Sequence, residues 1–173
     1  MVVDPDELWR LAGERKHENR TFLRYLRYRS RWPKRRLVAL QQELIDRVWE
    51  QIDCTQCGNC CSRMQLQVTL TDCRRLARVV GLSALEFSEQ YAELHRDGHW
   101  YLRQYPCRFL DGKKCSIYES RPSTCRGFPY LDGALQDDAV ADTLVGAAYC
   151  PIVFHVLEEM KAVPGLWPRR PKR

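Results

Sequence analysis

The sequence predicts a small, mainly α-helical protein with short β-strands, of the α+β class. The 173 residues are 45% hydrophobic and 29% charged, and the mean hydropathy of −0.50 is typical of a globular chain. Apolar residues recur at three- and four-residue steps in several segments, which is the pattern of amphipathic helices. Alternating segments are few and short, so we expect strands to be a minor component.

The first segment predicts an antiparallel helical pair over residues 5–31 and 34–52 that packs on the later part of the chain. Asp4 and Pro5 suit the cap and first turn of a helix, and Trp32-Pro33 ends it because proline cannot continue a helix. The second helix carries an apolar stripe at helical spacing: Leu37, Leu40, Leu44, Val48 and Ile52.

The middle of the chain predicts one short strand and two helices. Residues 64–68 alternate between apolar and polar side chains, as a strand does. Thr71 is the expected cap of a helix that ends at Gly81. Ser83 and Glu86 have capping-box spacing, so a further helix is expected from there to about Leu94.

The last third predicts two short strands, a loop and a final helix. The strands lie within residues 100–118, on either side of the turn-favouring pair Asp111-Gly112. Residues 127–145 carry a weak pattern that predicts a loop. Pro151 is expected to open a helix over 152–162.

Charge is unevenly distributed and suggests three segments. Residues 1–40 carry 11 basic and 5 acidic side chains, the tail 169–173 carries 4 basic and none acidic, and residues 41–168 carry 13 basic and 17 acidic. We therefore predict a basic N-terminal helical segment, a cysteine-rich body and a basic tail, over residues 1–49, 50–163 and 164–173.

The sequence argues against membrane insertion and export. No window approaches the roughly 18 apolar residues that a spanning helix needs, and the first residues are acidic where a signal peptide would be basic. We expect a cytoplasmic protein. An odd number of cysteines, nine, makes a disulfide framework a poor explanation and metal-binding thiolates a better one.

The cysteines predict one or two metal centres that organise the body. Cys54, Cys57, Cys60 and Cys61 form a C-x2-C-x2-CC run, in which Gly58 gives the backbone freedom to turn. Successive side chains in extended backbone point to opposite sides, so we expect Cys60 and Cys61 to divide between two neighbouring centres. One arrangement uses Cys54, Cys57 and Cys60 with one distant cysteine and leaves Cys61 with three others. The predicted metal ligands are Cys54, Cys57, Cys60, Cys61, Cys107, Cys115, Cys125 and Cys150.

The metal is either iron, in an iron–sulfur cluster, or Zn²⁺. Soft thiolates select such metals over magnesium or calcium. Bacterial ferredoxins use a C-x2-C-x2-C run with a further cysteine followed by proline, and Cys150-Pro151 provides that dipeptide. Structural zinc sites more often use two separate knuckles, so iron–sulfur is favoured slightly. Cys73 lies on the apolar face of a predicted helix and is expected in the core.

Four motifs together resemble one family. They are the C-x2-C-x2-CC run, Pro106-Cys107-Arg108-Phe109-Leu110, Cys115-Ser116-Ile117-Tyr118, and Arg121-Pro122-x2-Cys125-Arg126-Gly127-Phe128-Pro129. Over about residues 50–155 the chain resembles the YkgJ-like cysteine-cluster proteins, zinc- or iron-chelating domains of the CxxCxxCC type. The resemblance implies metal chelation by the cysteines and implies no particular reaction.

Other residues around the cysteines have predicted supporting roles. Arg108 and Arg126 each follow a cysteine, so their charge is expected to lower the pKa of the thiols. Arg121 is expected to bond a carbonyl or a carboxylate. His95 and His99 flank Gly98 and are expected in an exposed loop rather than at a metal.

The basic stretch from Arg20 to Arg36 suggests partners other than metal. Arg20, Arg24, Arg27 and Arg31 would share one helical face, interleaved with aromatic residues that could stack on bases. The leading hypothesis is a metal-binding protein. The alternatives are a structural zinc domain that presents these helices to nucleic acid or an acidic protein, a metal carrier or sensor, and a metal-dependent modification enzyme.

Overall fold

A computed structural model describes residues 1–104, 106–129, 131 and 139–168. The chain divides into two compact units, one of Met1–Asp53 with Pro129–Arg173 and one of Cys54–Phe128. These units differ from the three segments suggested by charge, whose role as domains stays a prediction. The protein is mainly helical with a few short strands, as predicted. Its organisation around a metal centre also stays a prediction.

The described part of the unit of Met1–Asp53 and Pro129–Arg173 contains helices and no strand. Asp4 caps the first helix by accepting hydrogen bonds from the backbone of Asp6 and Glu7, at 3.1 and 2.9 Å. The helices are α1 (Pro5–Glu14), α2 (Lys16–Tyr28), α3 (Lys34–Gln51), α9 (Ala139–Tyr149) and α10 (Pro151–Ala162).

Two predictions about the N-terminal helices are wrong in detail. The helix expected over 5–31 is broken at Arg15, whose ψ of 1° departs from helical geometry, and it ends at Tyr28. Arg31 therefore lies outside the helix and shares no helical face with Arg20. As expected, these helices pack on the later part of the chain, α1 chiefly on α9 and α3 on α10.

Most of the buried side chains in this unit are apolar. Leu8, Ala12 and Phe154 join α1 to α10, and the apolar stripe predicted for α3 is buried at Leu37, Leu44, Val48 and Ile52. Residues 139–145, predicted as a loop, instead begin α9, which packs against α1, α2 and α10. Tertiary packing has overridden a weak local pattern there.

No single helix in the described part of the chain is long and apolar enough to cross a membrane. The segments Val140–Tyr149 and Pro151–Ala162 meet that test of length and composition only when taken together, and they are bent by 116° at the break between them.

The Cys54–Phe128 unit combines short helices with two small antiparallel sheets. Its helices are α4 (Cys54–Cys57), α5 (Asn59–Arg63), α6 (Leu70–Val80), α7 (Ala84–Tyr91) and α8 (Ser123–Gly127), with a 3₁₀ turn at Tyr118–Ser120. Strands β1 (Gln67–Val68), β2 (Ala92–Leu94) and β3 (Trp100–Leu102) form a sheet of order β1-β3-β2. β4 (Leu110–Asp111) and β5 (Lys114–Cys115) form a hairpin.

Helix caps explain where α6 and α7 begin. Thr69, rather than the predicted Thr71, caps α6, in a reciprocal capping box with Asp72. The predicted capping box of Ser83 and Glu86 is confirmed at the start of α7. That helix ends at Tyr91, earlier than the predicted Leu94, because Ala92–Leu94 pairs with β3 instead.

One apolar core supports this unit. The fully buried side chains of Leu76, Phe87, Ala92 and Leu102 bring α6, α7 and the β2–β3 pair together. Cys73 is 2% exposed and belongs to this core, as predicted. Cys107 and Cys115 pack against the edge of the same core, so the segments that carry them are fixed by apolar burial.

Candidate metal centre

The predicted cysteine run forms two short helices joined at a glycine. α4 holds Cys54 and Cys57, and α5 holds Cys60 and Cys61. Gly58 between them has a φ of 67°, in the left-handed region that favours glycine. A Cβ on Gly58 would stand 3.1 Å from the carbonyl oxygen of Lys113, so glycine also lets the β4–β5 hairpin approach.

Backbone hydrogen bonds tie the second group of cysteines to the first. The amide of Cys107 donates to the carbonyl of Cys61 at 2.8 Å, and the carbonyl of Cys107 accepts from Leu110 at 2.9 Å. Cys115 lies on β5 opposite Leu110. Cys61, Cys107 and Cys115 are thus brought together from separate parts of the chain by local backbone pairing.

A third anchor positions Cys125 on α8. The hydroxyl of Thr124 donates to the carbonyl of Gln67 on β1 at 2.8 Å. The preceding residue, Ser123, donates to the buried carboxylate of Asp72 from both its backbone amide and its hydroxyl, at 3.0 and 2.8 Å. The two residues of α8 that precede Cys125 therefore fix this helix to α6 and β1 by polar contacts.

The thiols are electrostatically coupled, with Cys61 as the common neighbour. A hydrogen bond with Cys60 and burial raise the pKa of Cys61. Burial raises the pKa of Cys57, Cys107 and Cys115, and Cys61 raises each further. Burial, together with Cys61, Cys107 and Cys115, raises the pKa of Cys125 to about 12. Several thiolates here would repel one another, so a bound cation would offset that repulsion.

Three cations act in the opposite direction. Lys113 lowers the pKa of Cys57, Arg108 that of Cys107, and Arg121 that of Cys115 and Cys125, each against the larger effect of burial. Burial therefore outweighs the predicted effect of Arg108, and the pKa of Cys107 is raised overall.

Arg121 takes the charge role that was predicted for Arg126. It donates to the carbonyl of Tyr118 at 2.7 Å, the predicted kind of bond, and its guanidinium lies 3.8 Å from the centre of the Tyr118 ring. Arg126 donates to the carbonyls of Glu119 and Arg121 at 2.8 and 3.1 Å and thereby braces the turn before α8.

Cys60 and Cys61 do not have the extended backbone that was assumed for them. Both lie in α5, and their sulfurs are 4.0 Å apart. Two thiolates on one tetrahedral metal with bonds of about 2.3 Å would have sulfurs about 3.8 Å apart. The separation of the two sulfurs therefore suits binding to one shared metal atom. The expected division of the pair between two centres rested on an extended backbone, which this helical segment does not have.

The donor chemistry of this group fits a thiophilic metal. All nine cysteines are free thiols, and thiolates are preferred ligands of zinc and of iron in iron–sulfur clusters. Within residues 1–104, 106–129, 131 and 139–168, no group of three or more cysteine, histidine or acidic side chains already lies in a metal-binding arrangement.

Cys54 and Cys150 have different surroundings from the others. Cys54 opens α4 and is half-buried. Cys150 is buried at the start of α10, where its amide donates to Gly146 at 2.7 Å, and it belongs to the other compact unit. Their roles as ligands stay predictions. His95 and His99 lie at the turn between β2 and β3, as expected, and His95 contacts Glu93 at 2.8 Å.

Comparison with known families decides the identity of this cysteine pattern. The model of the CxxCxxCC family, described as a putative zinc- or iron-chelating domain, matches residues 53–151, more than half of the chain. The chain belongs to this family. The CxxCxxCC match includes the whole Cys54–Phe128 unit and extends to Cys150. No curated protein and no solved structure matches the chain.

Proposed function

We propose that this CxxCxxCC protein chelates iron or zinc through thiolates that surround Cys61 in the Cys54–Phe128 unit. The observation that carries the proposal is the convergence of these cysteines: the sulfurs of Cys60 and Cys61 lie 4.0 Å apart, and the amide of Cys107 donates to the carbonyl of Cys61 at 2.8 Å. Cys61 also raises the pKa of Cys57, Cys107, Cys115 and Cys125. Burial disfavours several uncompensated thiolates in one place, whereas a divalent metal compensates their charge. Cys54, which opens α4, completes the proposed set of ligands in this unit.

The separation of Cys60 and Cys61 favours certain centres over others. Two thiolates on one metal occur in mononuclear zinc and iron sites and in [2Fe–2S] clusters. In a [4Fe–4S] cluster each iron takes one cysteine, which would separate the pair. The sulfur–sulfur distance of 4.0 Å therefore supports a [2Fe–2S] cluster or a single metal ion. We favour iron, because the C-x2-C-x2-C run is the ferredoxin-type spacing, and keep zinc as the alternative.

The proposed setting is the cytoplasm, where thiols stay reduced. Metal binding there would also stabilise the fold, because the free energy of binding to a site formed from distant segments becomes folding free energy. The side chains that this chain contributes besides ligands are Lys113, Arg108 and Arg121, which favour the thiolate form at Cys57, Cys107, Cys115 and Cys125.

Anaerobic purification with metal analysis and an absorption spectrum tests the proposal. We expect bound iron with visible absorption, or colourless zinc if the alternative holds. Cys61→Ala should abolish stoichiometric metal, whereas Cys73→Ala, a matched change at a core cysteine, should retain it. Metal-free protein after anaerobic purification, or equal metal content in the two variants, would contradict the proposal.

A second measurement tests the stabilising role of the metal. A strong chelator, or Cys57→Ser combined with Cys60→Ser, is expected to unfold about residues 50–155. Circular dichroism and thermal melting would follow the change, with metal content measured in the same samples. An unchanged melting temperature after complete metal removal would exclude a stabilising role while leaving chelation itself to be judged by the metal analysis.

A further inference from the structure

The connection between α2 and α3 concentrates positive charge. Residues 19–42 contain eight basic side chains and no acidic one. Seven of the eight are exposed, and we call these seven the basic surface: Arg20, Arg24, Arg29, Arg31, Lys34, Arg35 and Arg36. The eighth, Arg27, is half-buried. All lie in α2, in the connection after it, or in the first turn of α3.

The cations of the basic surface are not used for ion pairs inside the described part of the protein. Other arginines of the same unit are paired: Arg10 contacts Glu14 at 2.6 Å and Arg47 contacts Glu43 at 3.0 Å. In contrast, none of the seven forms an ion pair with another residue in the described ranges. All seven side chains are exposed, so their charge is accessible to an anionic partner.

The arrangement of these cations is locally unfavourable without an anion. Lys34, Arg35 and Arg36 occupy the first turn of α3, which contains no acidic residue. The positive end of the helix dipole lies there and disfavours cations by tenths of a kcal/mol each. Their mutual repulsion adds to that cost, so the surface would gain stability from a polyanion.

Aromatic rings are interleaved with the charges. The guanidinium of Arg36 lies 3.6 Å from the centre of the Trp32 ring, and that of Arg27 lies 4.5 Å from the centre of the Tyr28 ring. Tyr28 is 63% exposed. Exposed aromatic rings and arginine planes are the platforms on which unpaired bases stack.

We propose that the basic surface binds single-stranded nucleic acid, a function beyond metal chelation. Six of its seven cations are arginine, whose planar fork matches phosphate oxygens, and the exposed ring of Tyr28 would stack on a base. An acidic protein would satisfy the charge but gives no reason for the aromatic rings. RNA and DNA share the phosphates and the base faces, so both are tested.

Fluorescence anisotropy of the metal-loaded full chain with labelled RNA, DNA and duplex DNA of roughly 20 nucleotides tests the proposal. We expect binding to the single strands that weakens steeply from about 50 to about 200 mM salt. Tyr28→Ala should weaken binding about tenfold, because a stacked base contributes on the order of 1–3 kcal/mol.

A pair of charge-matched variants locates the site. Arg20→Gln, Arg24→Gln and Arg31→Gln together should weaken binding about a hundredfold at about 0.1 M salt, since each phosphate contact to a single strand contributes about fivefold there. The control replaces Arg74, Arg78 and Arg96 with glutamine, all exposed in the other unit. It loses the same charge and should bind nearly as the unmodified protein does.

Three results would overturn the proposal. The first is absence of binding at low salt by unmodified protein whose helical circular dichroism is intact. The second is equal loss of affinity in the two triple variants. The third is competition by polyglutamate as effective as competition by RNA, together with no effect of Tyr28→Ala, which would assign the surface to an acidic protein instead. Metal content, measured in parallel, separates this test from that of chelation.

Discussion

The carboxylate of Asp72 on α6 accepts two hydrogen bonds from Ser123, the first residue of α8, at 3.0 and 2.8 Å. The same carboxylate accepts from the backbone and the hydroxyl of Thr69, at 3.0 and 2.8 Å, and pairs with Arg75. Arg75 in turn donates to the carbonyl of Arg121 at 3.0 Å. One buried acid thus links a helix cap to the segment that carries Cys125.

This link predicts a defined acid sensitivity. Burial alone would raise the pKa of Asp72, but the bonds from Thr69 and Ser123 outweigh it and lower the pKa from 3.8 to about 2. Because the folded pKa is the lower one, the stabilisation is present above about pH 4 and disappears as the pH falls toward 2. Its size at neutral pH is about 2 kcal/mol.

Asp72→Asn should therefore lower the free energy of unfolding by about 2 kcal/mol at pH 7 and by much less near pH 2. Urea unfolding of metal-loaded protein at several pH values, followed by circular dichroism, measures the difference. Asp111→Asn, at an exposed hairpin position, is the control and should be neutral. A deficit in Asp72→Asn that does not shrink in acid would contradict this account.

Alanine substitutions at Gly58 and Gly112 test whether the close contact between the β4–β5 hairpin and the cysteine run matters. Both have positive φ, 67° and 58°, so alanine strains the backbone at either position by roughly 1 kcal/mol. Only at Gly58 would the new Cβ also meet backbone, the Lys113 oxygen and Cα at 3.1 and 3.2 Å. Gly58→Ala should be the more destabilising and should also weaken metal binding, as measured by chelator competition. Equal effects at the two glycines would show that the close contact is unimportant.

Substitutions at Arg121 and Arg126 distinguish an electrostatic effect on the thiols from a structural role in holding the turn before α8. Both guanidiniums bond backbone carbonyls near the start of α8, but Arg121 is the cation that lowers the pKa of Cys115 and Cys125. Arg121→Gln should therefore weaken zinc binding severalfold at pH 7, because thiolates must form before metal binds. Arg126→Gln loses the same charge and should have a smaller effect on zinc affinity. Competition with a chromogenic chelator compares them, and a reversed order would refute the assignment.

The fold was predictable where local signals were strong. The capping box at Ser83, the helix opened by Pro151 and the hairpin at Asp111-Gly112 were all correct because each rests on nearby residues. The beginning of α9 was missed because its residues show little amphipathic periodicity. They become helical by packing against α1 and α10, contacts that join distant parts of the chain.

The candidate site was predictable in its residue types and less so in its arrangement. Spacing identified the cysteine run, but the helical backbone at Cys60-Cys61 reversed the inference drawn from an extended one. The effect of Arg121 on the pKa of Cys115 and Cys125 was missed because it depends on the conformation of the turn at Tyr118–Ser120. Arg126 was chosen only because it follows Cys125 in the sequence. The sequence around Asp72 indicates only a capping position, three residues after Thr69, and does not indicate its contact with Ser123.

Lys161 allows a test of the other compact unit that does not involve the cysteines. This lysine on α10 is 4% exposed, and its Nζ donates to Asn19 at 2.9 Å and to Glu18 at 3.2 Å, which fixes α10 to the start of α2. Lys161→Met removes the donor from the buried Asn19 oxygen and the cation that lies 2.5 Å from Glu158, and it should cost about 2 kcal/mol of unfolding free energy. Glu14→Gln, in the exposed pair with Arg10, should cost less than about 0.5 kcal/mol. Urea unfolding with metal content unchanged compares the two, and a Lys161→Met protein as stable as the unmodified one would show that burial of methionine compensates fully for the lost bonds.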